Sequence, residues 1–114
     1  MLVTQSDVFD IPMSLSVVLN IRENNTYQRS LYFKNLLGAD TLAFQIETSA
    51  DGGSTWTLID TAFSVAGGEI VVKEITAPNI LRVRASGGGN DRDAYIAYAR
   101  FIEDEDHEWV TPAI

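Results

Sequence analysis

The sequence contains no cysteine, a single histidine and fewer basic than acidic residues. Without cysteine, neither a disulfide framework nor a thiolate metal site can form, so stability has to come from packing or from association between subunits. Eight Lys and Arg residues stand against sixteen Asp and Glu residues, which gives a net charge of −8. Nucleic-acid binding needs clustered basic side chains to neutralise phosphates. We therefore expect no nucleic-acid partner.

Long apolar runs are also missing. The sequence nowhere has the stretch of about 18 apolar residues that a membrane-spanning helix requires, and residues 1–7 lack the basic start and apolar core of a signal peptide. We expect a protein made in the cytoplasm, with no membrane partner. The 114 residues, 46% of them hydrophobic, are enough for one core and one domain.

What the sequence does have is a period-2 alternation of apolar and polar residues, which is typical of half-buried β-strands. Turn signals separate the alternating runs, and neither helical periodicity nor βαβ spacing is found. This predicts an all-β fold, a single antiparallel β-sandwich or jelly-roll-like barrel of about seven to eight strands. The runs cover residues 13–21, 27–35, 41–48, 56–60, 69–73, 80–86 and 95–102. The predicted core consists of Leu15, Val17, Leu19, Leu31, Phe33, Leu42, Phe44, Ile46, Ile70, Val72, Leu81, Val83 and Ile96.

Both ends depart from this alternation. We predict an irregular N-terminal arm over residues 1–12, a β-sandwich domain over residues 13–102 and an acidic C-terminal tail over residues 103–114. The tail begins with Glu-Asp-Glu-Asp-His-Glu, which carries too much charge of one sign for a core. The apolar residues of the two ends have no obvious place in a two-layer core, so we expect them to contact other subunits or a larger particle. With two strand tyrosines taken to face outward, the interface candidates are Val8, Phe9, Ile11, Tyr32, Tyr98, Trp109, Val110 and Ile114.

Few residues have the chemistry of a catalytic or metal site. His107 lies within the acidic run, where no nucleophile accompanies it, so we predict no catalytic residue and no enzymatic activity. Clustered acids could hold calcium at Asp91 and Asp93 or at residues 103–106, but their spacing matches no EF-hand loop. We interpret them as solvated acids, and we expect no metal and no cofactor.

The stretch Ser-Ala-Asp-Gly-Gly-Ser-Thr-Trp at residues 49–56 joins two alternating runs and predicts a β-hairpin. It resembles the Asp box, S-x-D-x-G-x-T-W, of sialidase-type propellers and several unrelated β-proteins. In those families the Asp box is a hairpin away from the catalytic centre, so the resemblance implies a structural role. A propeller would repeat the motif in each blade, whereas this chain has one copy. The matching residues are Ser49, Asp51, Gly53, Thr55 and Trp56.

Four further segments, N-L-L-G-A-D-T-L (35–42), D-G-G-S-T-W (51–56), G-G-E-I-V-V (67–72) and L-R-V-R-A-S-G (81–87), give the chain its general pattern. In this pattern it resembles the small accessory proteins of tailed-bacteriophage virions. The resemblance implies a capsid decoration subunit, often a trimer, which sits on capsomer junctions in the virion and strengthens the shell.

The expected function is therefore that of a non-enzymatic structural protein. It would form a homo-oligomer, with a trimer favoured, and bind a larger protein assembly such as a capsid. The alternative is a carbohydrate- or ligand-binding β-sandwich, in which aromatic side chains stack on sugar rings.

Overall fold

The computed structural model describes residues 2–23 and 28–100, apart from the side chain of Leu2. Nine β-strands make up the regular secondary structure of this part of the chain. No helix among these residues has the length and apolar character needed to cross a membrane. The strands are β1 (Leu2–Phe9), β2 (Ser16–Ile21), β3 (Arg29–Asn35), β4 (Leu42–Ser49), β5 (Thr57–Leu58), β6 (Phe63–Val65), β7 (Ile70–Ile75), β8 (Ile80–Ser86) and β9 (Ala94–Arg100).

The strands form two antiparallel sheets that pack face to face. The four-stranded sheet has the order β1-β9-β3-β7, and the five-stranded sheet has the order β2-β8-β4-β5, with β6 also paired to β4. Side chains from both sheets fill the space between them, which holds the main hydrophobic core of this two-layer fold. The all-β antiparallel sandwich predicted from the alternation is confirmed.

Three phenylalanines join the two layers at the centre of this core. The ring of Phe33, from the four-stranded sheet, lies 4.8 Å from that of Phe44 and 5.1 Å from that of Phe63, both in the five-stranded sheet. Tilted and edge-to-face arrangements at such distances add to the free energy of burial itself. Phe33 is fully buried and Phe44 is 1% exposed, so these rings fix how the sheets face each other.

The prediction that residues 1–12 form an irregular arm is wrong for the described residues. β1 pairs along its length with β9 and forms an edge of the four-stranded sheet. Phe9 packs against the core, and Ile11, just beyond the strand, is fully buried within it. The alternation is weak because an edge strand carries polar residues toward solvent, and because a β-bulge between Val3 and Gln5 shifts its register.

Two residues of the predicted core, one just before β2 and one within it, face solvent instead. Leu15 is 40% exposed and Val17 is 41% exposed. A register shift between Val17 and Leu19 is the cause, since one extra residue reverses which side chains face inward. Leu19 packs against the core and Ile21 is fully buried in it.

The predicted orientation of β7 is also wrong. Ile70 is 46% exposed and Val72 is 38% exposed. Val71 pairs with the core residue Phe33, which puts Val71 on the inner face and its neighbours on the outer one. The side chain of Lys73 is also on the inner face, at the sheet edge, where its ammonium lies 4.6 Å from the centre of the Phe63 ring.

Candidate functional site

The hairpin at residues 49–56 has the hydrogen bonds of a self-contained turn. The carboxylate of Asp51 accepts hydrogen bonds from the Thr55 backbone N–H at 2.9 Å, from the Thr55 hydroxyl and from the Ser49 hydroxyl at 2.7 Å. Ser49 in turn accepts one from the backbone N–H of Gly53 at 2.8 Å, and the Trp56 indole N–H donates to the Gly53 carbonyl at 3.1 Å. Gly53 has a φ of 104°, a conformation that favours glycine. All five residues of the Asp-box resemblance therefore act within the turn itself.

Hydrogen bonding also sets the charge state of this turn. The Thr55 hydroxyl, the Thr55 backbone N–H and the Ser49 hydroxyl hold the pKa of Asp51 far below its ordinary value. The carboxylate is thus occupied by donors of its own loop. The ring of Trp56, at the end of the hairpin, is partly exposed.

Beside this ring, the outer face of the five-stranded sheet carries a group of arginines, which we call the arginine face: Arg22, Arg82 and Arg84. The guanidinium of Arg82 lies 4.3 Å from the centre of the Trp56 ring and donates a hydrogen bond to Glu47 at 2.6 Å. Arg84, two residues further along β8, has its Nη1 at 3.7 Å from the same carboxylate. Arg22 is exposed, with its Nη1 in the neighbourhood of Gly53 and Trp56.

Glu47 lies beneath these arginines and is 8% exposed. Burial acts to raise its pKa, but the hydrogen bonds from Arg82 and Gln45 and the charges of Arg82 and Arg84 outweigh burial, so the pKa lies below its ordinary value. Glu47 is therefore an anion that holds two guanidinium groups in place. The alternation of β8 in the sequence is enough to place Arg82 and Arg84 on the outer face, whereas the position of Glu47 opposite Arg82 depends on the pairing of β4 with β8.

The outer face of the four-stranded sheet carries an apolar cluster of its own. Tyr32, Tyr95 and Ala97 form a second hydrophobic cluster there, and Val8 and Leu36 pack against it. The two tyrosine rings meet edge to face with their centres 6.0 Å apart. Burial, followed by the effect of Tyr95, raises the pKa of Tyr32.

At the margins of this cluster the same face has exposed aliphatic side chains. Val3 is 44% exposed, and the outward residues of β7, Ile70 and Val72, flank Lys34 and Tyr32 through the pairing of β7 with β3. We call the whole group the apolar outer face: Val3, Val8, Tyr32, Tyr95, Ala97, Ile70 and Val72.

The predicted interface residues are therefore distributed over several environments. Val8 and Tyr32 belong to the apolar outer face, Tyr32 with 4% exposure, whereas Ile11 is a core residue and Phe9 packs against the core. The interpretation of Tyr98 as outward-facing is wrong: it is fully buried, on the core face of β9 opposite Leu31. The remaining candidates, Trp109, Val110 and Ile114, lie outside the described residues, as do His107 and the acidic run.

Tyr98 lies beside a buried arginine that the sequence analysis did not identify. Arg29 is fully buried and donates hydrogen bonds to the carbonyl oxygens of Ala77, Asn79 and Glu23 and to the Tyr98 hydroxyl. The alternation of apolar and polar residues in β3 places Arg29 on the same face as Leu31 and Phe33, and this could have indicated its burial. Because its Nη1 and Nη2 groups donate to backbone carbonyls, Arg29 connects loops and strands at one end of the sandwich.

Asp93 is a further buried charge, and the interpretation of it as a solvated loop acid is wrong. It is 1% exposed and accepts hydrogen bonds from the backbone N–H groups of Ile11 at 2.9 Å, Asp91 at 3.0 Å and Gly89 at 3.2 Å. Burial acts to raise its pKa, but these backbone donors outweigh burial and lower it. Asp91 is exposed, and no cluster of three potential metal ligands occurs in the described part of the chain.

Comparison of the chain with family models and with curated proteins finds no match.

Proposed function

We propose that the protein is a non-enzymatic assembly subunit, which forms homo-oligomers and binds a larger protein particle such as a phage capsid. One observation carries this proposal: on the outer face of the four-stranded sheet the aliphatic side chains of Val3, Ile70 and Val72 are exposed, beside a second hydrophobic cluster that is itself buried. An antiparallel sheet in a two-layer fold commonly has one face packed and one face solvated and polar. Exposed aliphatic side chains grouped on the second face favour contact with another protein surface.

The edge strand β7 of this sheet also supports the formation of homo-oligomers. β7 is an edge strand of six residues, and two of its outward side chains, Ile70 and Val72, are exposed aliphatics. An edge strand offers unpaired backbone N–H and C=O groups to any strand that lies alongside it. Side chains and backbone of β7 together are thus suited to packing against a second copy, and the resemblance to virion accessory proteins favours three copies.

The test compares the mass of the protein in solution with that of a double variant, Ile70→Asp with Val72→Asp. Two charges on the apolar outer face would have to be desolvated in an interface, so we expect the wild type to sediment as an oligomer and the variant as a monomer with an unchanged melting temperature. The control is Met13→Asp, which alters a side chain that is 79% exposed in the connection between β1 and β2. We expect this control to sediment like the wild type.

Particle binding is tested by co-sedimentation with purified heads of tailed phages from which decoration proteins have been removed. The wild type and Met13→Asp should pellet with the heads, while the Ile70→Asp, Val72→Asp variant should stay in the supernatant. A wild type that is monomeric at every concentration and pellets with no particle would contradict the proposal.

Carbohydrate binding is the second candidate, favoured by the Trp56 ring beside Arg82 and Arg22 on the other sheet. Exposed indole rings stack on sugars, and neighbouring arginines suit acidic sugars. Trp109→Phe leaves Trp56 as the sole tryptophan, so its fluorescence reports on this site alone. Saturable quenching of a monomeric protein by acidic oligosaccharides would favour this candidate over assembly.

A further inference from the structure

The arginine face contrasts with the charge of the whole chain. The protein has a net charge of −8, yet three of its eight basic residues lie together on the outer face of the five-stranded sheet or at its margin. Within the part of the chain that the structure describes, the carboxylate of Glu47 pairs with Arg82 and Arg84, whereas Arg22 is exposed and forms no ion pair. The described residues therefore neutralise the arginine face only in part.

Exposed aliphatic side chains flank these arginines on both sides. Val17, on β2, is 41% exposed and pairs with Arg84, and Leu58, on β5, is 40% exposed and pairs with Glu47. Directly opposite residues of antiparallel strands point to the same face of a sheet, so both aliphatics lie on the outer face. With the partly exposed Trp56, the surface combines aliphatic neighbours with arginine and tryptophan, which are enriched at the energetic centres of protein–protein contacts.

The arginines are held in place before any partner arrives. Arg82 lies between the Trp56 ring, at 4.3 Å, and Glu47, at 2.6 Å, and the Nη1 of Arg84 lies 3.7 Å from the same carboxylate. Side chains that are already ordered lose little further freedom on binding. The side chain of Arg84 is still 31% exposed and that of Arg82 is 23% exposed, so guanidinium N–H groups remain available to a second acceptor.

The spacing of the arginines indicates which acceptor fits. Arg82 and Arg84 are two positions apart on β8, so their side chains leave the sheet about 7 Å apart. Carboxylates have the same spacing on alternate residues of an extended polypeptide. An acidic segment that runs along β8 can thus present one carboxylate to each guanidinium, and arginine is suited to such planar acceptors.

Two features favour a polypeptide over an acidic sugar chain at this surface. The guanidinium of Arg82 already covers one face of the Trp56 ring, so that face is closed to a stacking sugar. Val17 and Leu58 are suited to apolar side chains that stand between the carboxylates of a polypeptide. The arginine face therefore fits a protein that carries an acidic extended segment.

We propose that the arginine face binds an acidic, extended segment of the protein that forms the particle. The apolar outer face, which is the proposed contact between copies, belongs to the four-stranded sheet, and the arginine face lies on the opposite side of the sandwich. Copies that associate through the first surface therefore leave the second uncovered. Each subunit can then contribute its own arginines to the particle, and several such contacts act together.

This inference rests on the proposed function, because it names the partner of that function, but the site is tested without the particle. The full chain with Trp109→Phe keeps Trp56 as its sole tryptophan and is titrated with poly-L-glutamate, or with polygalacturonate as an acidic sugar of the same carboxylate chemistry. We expect a saturable change in fluorescence with poly-L-glutamate at about 0.15 M salt and a smaller one at about 0.5 M, because salt screens the charges. Polygalacturonate should bind more weakly.

Arginine variants show whether the arginine face carries this binding. We expect Arg84→Gln and Arg22→Gln each to weaken poly-L-glutamate binding about two- to fivefold. The matched control, Arg92→Gln, removes an exposed arginine from the loop before β9 and should leave binding unchanged. Arg82 is kept in all variants because its loss would leave Glu47 buried without its closest partner. The acids after Arg100 are the same in every variant, so differences between variants report on the arginines.

Co-sedimentation with phage heads stripped of their decoration proteins then connects the site to the particle. The double variant Arg22→Gln with Arg84→Gln should sediment as an oligomer like the wild type when heads are absent, and should stay in the supernatant when heads are pelleted. Its loss of particle binding should exceed that of poly-L-glutamate binding, since the weakened contacts of several copies multiply. Ile70→Asp with Val72→Asp should still bind poly-L-glutamate, because its charges lie on the other sheet.

Four results would overturn the inference. Poly-L-glutamate that changes the fluorescence at neither salt concentration would show that the arginine face takes no acidic polypeptide. Equal effects of Arg84→Gln and Arg92→Gln would show that only net charge matters, and equal or tighter binding of polygalacturonate would assign the face to acidic sugars. A double arginine variant that pellets with heads as the wild type does would remove the particle contact. A wild type that pellets with no head, but binds poly-L-glutamate through Arg22 and Arg84, would instead contradict the proposed function and leave an acidic polypeptide as the ligand of this face.

Discussion

Asp93 gives the sharpest test of how this sandwich is held together. Its buried carboxylate accepts three backbone N–H hydrogen bonds, from Ile11, Asp91 and Gly89. It thereby joins the connection after β1 to the loop before β9. Asp93→Ala removes the acceptor and leaves these donors without it, and each buried group left unpaired costs about 1–3 kcal/mol. Since the donors can relax in part, we expect the free energy of unfolding to fall by about 3–5 kcal/mol.

The substitution Asp93→Asn gives a graded result. One carboxylate oxygen accepts from both Ile11 and Asp91, and the other accepts from Gly89. An asparagine can place its carbonyl oxygen at the first position, which keeps two bonds, but then turns an N–H₂ group toward the N–H of Gly89. We expect a loss of about 1–3 kcal/mol, smaller than that of the alanine variant.

Urea unfolding at pH 7 measures these differences, with Asp91→Ala as the control because its side chain is exposed. The lowered pKa of Asp93 adds a pH test. A group whose pKa is lower in the folded state stabilises the protein above its unfolded pKa, about 3.9, and this contribution disappears as the pH falls through the folded value. The difference in the free energy of unfolding between the wild type and Asp93→Asn should therefore become smaller below about pH 4. An alanine variant that loses less than about 1 kcal/mol would refute the reasoning.

Two further predictions concern the core and the hairpin. Phe44→Ala should lower the free energy of unfolding by about 3–5 kcal/mol in urea, because the ring is 1% exposed and packs against Phe33 and Phe63; a loss below about 1 kcal/mol would contradict this packing. Asp51→Ala should lower the melting temperature by removing the turn's acceptor. It should leave oligomeric mass and particle binding unchanged, and loss of binding at an unchanged melting temperature would instead make the turn a ligand site.

The success of sequence-based prediction varied along the chain for physical reasons. β8 was placed at its observed bounds because apolar Leu81 and Val83 alternate strictly with Arg82 and Arg84. β7 offered apolar residues on both faces, so the pattern could not decide its orientation, which is set by pairing with β3. β1 was missed because the polar residues of an edge strand give little periodicity.

The candidate sites were harder to predict than the strands. The hairpin could be found from local sequence because every one of its hydrogen bonds joins residues within eight positions of each other. The arginine face needed the pairing of Glu47 with Arg82, which joins strands distant in sequence. Asp93 is held by Ile11, from the other end of the described chain, and no local pattern contains that information.

The pairing of β1 with β9 has a consequence for how the protein folds during synthesis. β1 leaves the ribosome well before β9, yet β9 is its neighbour in the four-stranded sheet and separates it from β3. Until β9 emerges, β1 has no native partner, and β3 also lacks one of its two. Folding must therefore wait for contacts between distant segments, which is typical of proteins that fold in milliseconds to seconds. The polar residues Thr4, Ser6 and Asp7 then also matter during folding, because they disfavour pairing of β1 with a wrong strand before β9 is available.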